Sequence, residues 1–121
     1  MLNYPQLFKC GVAGGPVTNW EFYEIMYTER FMNHPDENKE GYDKTNLINQ
    51  VNKLQAPLLM IHGQLDDVVV PKHSLEFVKS AVDLNVQMDY FLYPGHKHNV
   101  RGKDRLHLIQ KIIDYIRIHN Q

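Results

Sequence analysis

Two loops of this chain carry the residue types of proton-transfer chemistry: Asp66, in Ile61-His62-Gly63-Gln64-Leu65-Asp66-Asp67, and His98, in Tyr93-Pro94-Gly95-His96-Lys97-His98. A carboxylate can hold an imidazole in one tautomer and stabilise the imidazolium, while the imidazole takes a proton from a hydroxyl nucleophile and returns it to a leaving group. Acid before base, with a serine on a G-x-S-x-G turn upstream of both, is one known order of such a triad. The serine is missing: only Ser74 and Ser80 occur, both after Asp66 and neither between glycines. What is left is an acid and a base without a nucleophile. Asp67 competes with Asp66 for the acid's place, and spacing alone does not separate neighbours. An aspartate after a strand is also commonly a turn or cap residue. His96 and His98 point the same way if their segment is extended and could begin a metal site. No third ligand is evident, so neither a metal nor another cofactor is expected. His62, ending an apolar run, reads as a buried histidine bonded to backbone.

The elements that must position these residues alternate. Leu7 to Val17 begins as a short strand and ends in a Gly14-Gly15-Pro16 turn, where backbone freedom and a fixed φ redirect the chain. Thr18 or Asn19 is placed to cap a helix through Tyr27, with Glu21 and Glu24 in its first turns. On that helix Trp20, Tyr23 and Tyr27 would share a face, either as ordinary core or, since two tyrosine hydroxyls need partners, as the rim of a pocket. Asn33 to Asn46 is polar and broken by Pro35 and Gly41, which predicts a surface loop. A short helix around Asn46 to Val51 leads to Pro57-Leu58-Leu59-Met60-Ile61-His62, apolar on both alternating faces as a covered parallel strand is. Leu75, Val78 and Val82 recur at helical spacing from Pro71 through Leu84. A strand over Val86 to Tyr93 and a helix opening at Asp104, with Leu106, Ile109, Ile112, Ile113 and Ile116 on one face, complete the order. Strand, helix, strand, helix, strand, helix predicts βαβ units and a parallel sheet. Ligands of such sheets sit beyond the carboxyl ends of the strands, where Asp66 and His98 both fall.

Composition narrows the class. The chain has 121 residues, 43% hydrophobic and 22% charged, which fits one folded domain with a modest core. Its net charge of −1 gives no electrostatic footprint for nucleic acid or an anionic membrane. No apolar run approaches the roughly 18 residues of a spanning helix, and Met1-Leu2-Asn3-Tyr4-Pro5 does not read as a signal peptide. Cys10 is the single cysteine, which rules out an internal disulfide and a multi-cysteine zinc site.

Longer motifs now add to these residues. Trp20-Glu21-Phe22-Tyr23-Glu24-Ile25-Met26-Tyr27-Thr28-Glu29-Arg30, Gly41-Tyr42-Asp43, Leu59-Met60-Ile61-His62-Gly63, Asp66-Asp67, Tyr93-Pro94 and Arg105-Leu106-His107-Leu108 together resemble the C-terminal end of the prolyl oligopeptidase superfamily, in its dipeptidyl peptidase IV branch. Gly95-His96-Lys97-His98-Asn99-Val100 resembles the bacterial prolyl tripeptidyl and dipeptidyl aminopeptidases of that branch. The resemblance implies a serine exopeptidase built from a β-propeller and an α/β-hydrolase domain, releasing N-terminal di- or tripeptides after proline. It implies Asp66 as triad acid, His98 as triad base, and Val17, Trp20, Tyr23, Tyr27 and Val69 as the wall that receives the proline ring. Val68 stands where dipeptidyl peptidase IV has an asparagine that binds a substrate carbonyl. A periplasmic or extracellular location is implied as well.

Residues 1–121 would then be the C-terminal portion of the peptidase domain, a three-layer α/β-hydrolase-type parallel sheet of which only the last strands and helices are present. The nucleophile elbow, the oxyanion hole and the propeller glutamates that hold a substrate amine have no counterpart in it. The chain is expected to be inactive alone, and its first strand to leave a sheet edge that favours a homo-oligomer. A fragment of another α/β hydrolase, such as an acyl esterase, and a non-catalytic interaction module are the competing readings.

Overall fold

The computed structural model describes residues 1–121. Three strands, β1 (Gly11–Gly14), β2 (Leu58–Gly63) and β3 (Asp89–Tyr93), form one parallel sheet in the order β1-β2-β3. Gly11 is opposite Leu58, and Leu59 is opposite Asp89. Four helices accompany them: α1 (Ile25–Met32), α2 (Lys39–Thr45), α3 (Lys72–Asp83) and α4 (Asp104–His119). Three short 3-10 turns cover Pro5–Leu7, Trp20–Phe22 and Ile48–Lys53.

β2 is central, and all six of its residues are buried. Its apolar run therefore has two faces to fill, as a parallel strand with a layer on each side must. On one face Leu58 and Met60 pack with Val51, Phe77 and Ala81, which places α3 and the Ile48–Lys53 turn there. On the other, Leu59 and Ile61 pack with Tyr93 and Val100, and half-buried Leu108, Ile112 and Tyr115 bring in α4. The result is the expected helix, sheet, helix layering of an α/β-hydrolase-type fragment. Each fully buried aliphatic side chain in these clusters contributes about 1.5–3 kcal/mol.

The structure corrects four local expectations. The helix placed at Thr18 or Asn19 does not run to Tyr27: Asn19 caps the Trp20–Phe22 turn through Glu21 N–H, and Glu24 then caps α1 through Met26 N–H. Two caps five residues apart divide what periodicity joined. The polar stretch from Asn33 to Asn46 is not all loop, because Asn38 caps α2 through Gly41 N–H and the buried Tyr42 donates its hydroxyl to Asn33 O. The last strand begins at Asp89 rather than Val86. On α4 the residues turned to the sheet are Leu108, Ile112 and Tyr115, while Leu106, Ile109, Ile113 and Ile116 are exposed.

Candidate active site

Asp66 and His98 meet. The imidazole Nδ1 of His98 lies 2.8 Å from Asp66 Oδ2, and the other carboxylate oxygen accepts from Val68 N–H at 3.0 Å and Val69 N–H at 2.9 Å. The Asp66 side chain is fully buried and that of His98 is 37% exposed. Burial pushes the Asp66 carboxyl upward, but the bonds from His98 and from the Val68 and Val69 N–H groups outweigh it and hold it below its ordinary value. Hydrogen bonds to the charged form win over desolvation here. An ionised carboxylate only accepts, so Nδ1 carries the proton and Nε2 is left as the basic nitrogen. That nitrogen has no partner within the chain. A fixed tautomer with an open Nε2 is the arrangement required of a general base.

Several sequence features hold this pair. The loop after β3 is bound to the loop after β2 by Gln64 N–H to Tyr93 O at 3.0 Å, Leu65 N–H to His96 O at 2.8 Å, and Gly95 N–H to Gln64 Oε1 at 3.1 Å. Gly63 lets the loops cross, since a Cβ there would fall 2.0 Å from Lys97 O and 2.6 Å from His96 O. Gly15, at φ +53°, puts the turn after β1 against the imidazole: a Cβ on it would lie 3.1 Å from His98 Cε1. Neither glycine was singled out from sequence as part of the site. A glycine closing an apolar run just before the acid's loop was the available signal for Gly63.

The competing residues diverge. Asp67 is exposed and pairs with Lys97, whose bond holds its carboxyl below the usual range. His96 turns to Asp104 at 2.9 Å, so the two histidines of the i, i+2 pair face different carboxylates. Ser74, His62 and Asp66 imitate a second triad: Ser74 Oγ is 2.6 Å from His62 Nδ1, and His62 Nε2 is 3.3 Å from Asp66 Oδ2. Its proton order is that of a triad with the two ring nitrogens exchanged, and what excludes attack is burial. His62 Nε2 lies 2.7 Å from Val69 O, and a carbonyl can only accept, so Nε2 bears the proton and Nδ1 accepts from the serine. His62 and Ser74 are buried, at 1% and 0% exposure, out of reach of a substrate. His62 is thus bonded to backbone as its sequence position predicts, and to Ser74 besides.

Trp20, Tyr23 and Tyr27 cluster without the expected helix. Trp20 and Tyr23 meet edge to face at 5.6 Å, Trp20 and Tyr27 stack at 6.2 Å, and Tyr23 and Tyr27 cross at 5.5 Å. No hydrogen bond or ring contact joins this cluster to Asp66 or His98. Val17 is half-buried just before it. Val69 is buried beside the acid, which its N–H helps to hold. A groove of about 740 Å³ runs between the open side of β1 and α4, lined by Gly14, Gly15, His98, Asn99, Leu108 and Ile112 among others. No group of three or more His, Cys, Asp or Glu residues is placed to hold a metal ion, and no helix is long and apolar enough to cross a membrane.

Comparison with known proteins identifies the family. Human dipeptidyl peptidase 8 is 35% identical over 104 residues, covering 84% of this chain and 12% of that protein. A crystal structure from Bacteroides ovatus, provisionally described as a dipeptidyl aminopeptidase IV, matches with a TM-score of 0.97 and 52% identity over 98% of this chain and 17% of that one. The crystal structure of Porphyromonas gingivalis dipeptidyl peptidase 4 matches with a TM-score of 0.92 and 33% identity over 95% of this chain and 16% of that one. The chain thus spans less than a fifth of the length of each of these three proteins. With the model of the prolyl oligopeptidase family matching residues 1–120 as well, sequence, fold and acid–base geometry converge: the chain belongs to the prolyl oligopeptidase family, with serine peptidases of the dipeptidyl peptidase IV type.

Proposed function

We propose that Asp66 and His98 are the acid and base of a serine exopeptidase that releases N-terminal di- or tripeptides after proline, and that this chain is the C-terminal portion of its peptidase domain. The observation that carries the reading is the 2.8 Å bond between a buried, doubly anchored carboxylate and a half-exposed imidazole with a free Nε2. On this reading the serine and the oxyanion donors come from a preceding segment of the same domain. His98 Nε2 takes the serine proton during attack on the scissile carbonyl and returns it to the leaving amine, while Asp66 stabilises the imidazolium. Val17, Trp20, Tyr23, Tyr27 and Val69 form the wall that receives the proline ring. Tyr27, at 48% exposure, presents the most open ring of the three aromatics. A periplasmic or extracellular location belongs to the same proposal.

Without nucleophile and oxyanion hole, the 121-residue chain is inactive by itself. Its sheet edge is open at β1, which pairs only with β2, and this edge favours association with a second copy.

The test is a pair of assays with a Gly-Pro chromogenic substrate. The purified chain should give no turnover above background. A longer version with an in-frame G-x-S-x-G segment upstream of Met1 should turn it over, and should lose about 10⁴-fold in kcat on Asp66→Asn. Turnover by the 121-residue chain that disappears with His98→Ala would overturn the division of labour. Full activity of the longer version carrying His98→Ala would overturn the assignment of the base.

A further inference from the structure

We infer that His62 is a positioning residue for Asp66, anchored by Ser74, and that the first turn of α3 thereby ties the acid's loop and the aromatic segment to one support. The inference rests on the reading of Asp66 and His98 as acid and base. Three observations carry it. His62 reaches both ends of the acid's loop: its Nε2 is 2.7 Å from Val69 O and 3.3 Å from Asp66 Oδ2, the same oxygen that His98 engages. The Nε2–H donates to Val69 O and so fixes the peptide whose own N–H holds the other carboxylate oxygen of Asp66, while the ring edge at 3.3 Å limits where the carboxylate can stand. Ser74 then anchors the ring: Val69 O requires the Nε2–H form, and the Ser74 hydroxyl donates to the Nδ1 that remains, at 2.6 Å.

The second link starts from the neighbouring residue. His73 is fully buried, and its Nδ1 accepts from Thr18 N–H at 3.2 Å, while Thr18 Oγ1 donates to His73 O at 2.8 Å. Phe22 meets the His73 ring edge-on at 5.6 Å. Thr18 opens the segment that bears Trp20 and Tyr23, so the proposed proline wall and the proposed acid are fastened to adjacent residues of one helical turn. Both ring nitrogens of His62 and the Ser74 hydroxyl have partners, and buried bonds of this kind rigidify a site more than surface pairs do, although His73 Nε2 has none. His62 and Ser74 touch no position a substrate could occupy, and they act through Asp66.

The test reads the His98 Nδ1 proton of the 121-residue chain by nitrogen-edited NMR. Wild type should show a low-field imidazole proton that disappears with Asp66→Asn. Its absence would overturn the acid–base reading itself, and this inference with it. Given that signal, His62→Phe, which keeps the ring volume and removes both nitrogens, should speed exchange of the proton with solvent about tenfold, the scale of one lost hydrogen bond. His62→Gln, which can still donate toward the loop, should restore part of the protection. A core control, Met60→Ala, should lower the unfolding midpoint and leave the signal in place. If His62→Phe does not fold, Ser74→Ala decides: it deletes one hydroxyl and should accelerate exchange severalfold. Exchange unchanged in a folded His62→Phe, or in Ser74→Ala where that variant decides, would overturn the positioning role.

Discussion

The corner that holds Asp66 and His98 and the flank formed by β1 and α4 are built on opposite principles. At the corner every polar atom of the acid is matched: the Asp66 carboxylate receives His98, Val68 and Val69, and the loops beneath it are cross-bonded and bridged by Gly63. On the flank, β1 is paired on one side only, Ile116 of α4 lines the groove at 42% exposure, and Ile109 and Ile113 of the same helix stand at 44% and 38% exposure. The corner is completed by bonds the chain makes with itself. The flank offers apolar surface and unpaired backbone to something else. An aspartate–histidine pair can therefore be oriented in a chain with an open sheet edge, because a few short-range bonds suffice to fix an imidazole, whereas edge N–H and C=O groups turn to solvent, a covering element or another strand.

The strongest attack on the corner is Gly63→Ala. A Cβ 2.0 Å from Lys97 O has no flexible side chain to push aside, so the backbone carrying His98 must retreat. Overpacking of this kind against backbone should cost about 3 kcal/mol, read as a drop in the urea midpoint. Loss of the His98 low-field proton should accompany it. A variant of wild-type stability with that proton intact would show that the two loops are not as tightly crossed as described.

The corner should also announce itself in acid. Folding holds the Asp66 carboxyl below its ordinary value of 3.8, so the native state favours the ionised form. Its contribution is complete above the unfolded value and is lost as pH falls through the lower folded value. Stability of the wild-type chain should therefore decline from about pH 4 downward, and Asp66→Asn should flatten that limb while costing about 2 kcal/mol near neutrality for the weakened bonds to a formerly charged acceptor. Parallel acid limbs in the two proteins would remove Asp66 as the cause. Gly15→Ala comes next, at about 1–2 kcal/mol, since φ +53° penalises any Cβ.

How much of each region the sequence revealed follows from the same contrast. The corner was legible because its determinants are local: an apolar run with both faces filled predicts β2, Pro71 and the Leu75, Val78, Val82 spacing predict α3, and the acid and base follow their strands directly. Spacing left Asp66 and Asp67 unseparated and only the resemblance chose Asp66; in the fold Asp66 points inward while Asp67 pairs with Lys97. The aromatic helix was misread because Trp20, Tyr23 and Tyr27 repeat at helical spacing, yet both Asn19 and Glu24 carry caps, and only the folded chain shows both used. α2 was hidden by Gly41 in a polar stretch, its anchor being one buried tyrosine. On α4 apolar residues occur nearly all round, so periodicity gave a face, and packing against Leu59 and Ile61 selected a different one.

That displaced face supplies the mildest perturbation and the sharpest test of the flank. If Ile109, Ile113 and Ile116 serve association rather than the fold of this chain, charging them should barely change its stability. Lysine keeps an aliphatic stem that can cover the surface isoleucine covered while its ammonium reaches water, and substitutions at exposed helix positions usually stay within about 0.5 kcal/mol. Ile109→Lys combined with Ile113→Lys should leave the denaturant midpoint nearly where it was. The same double variant should shift the chain from oligomer toward monomer in light scattering, since two like charges per copy would be buried at the contact. A monomeric wild type, or a large loss of stability in the double variant, would mean that α4 is already committed to its own sheet and that the flank, like the corner, is complete within the chain.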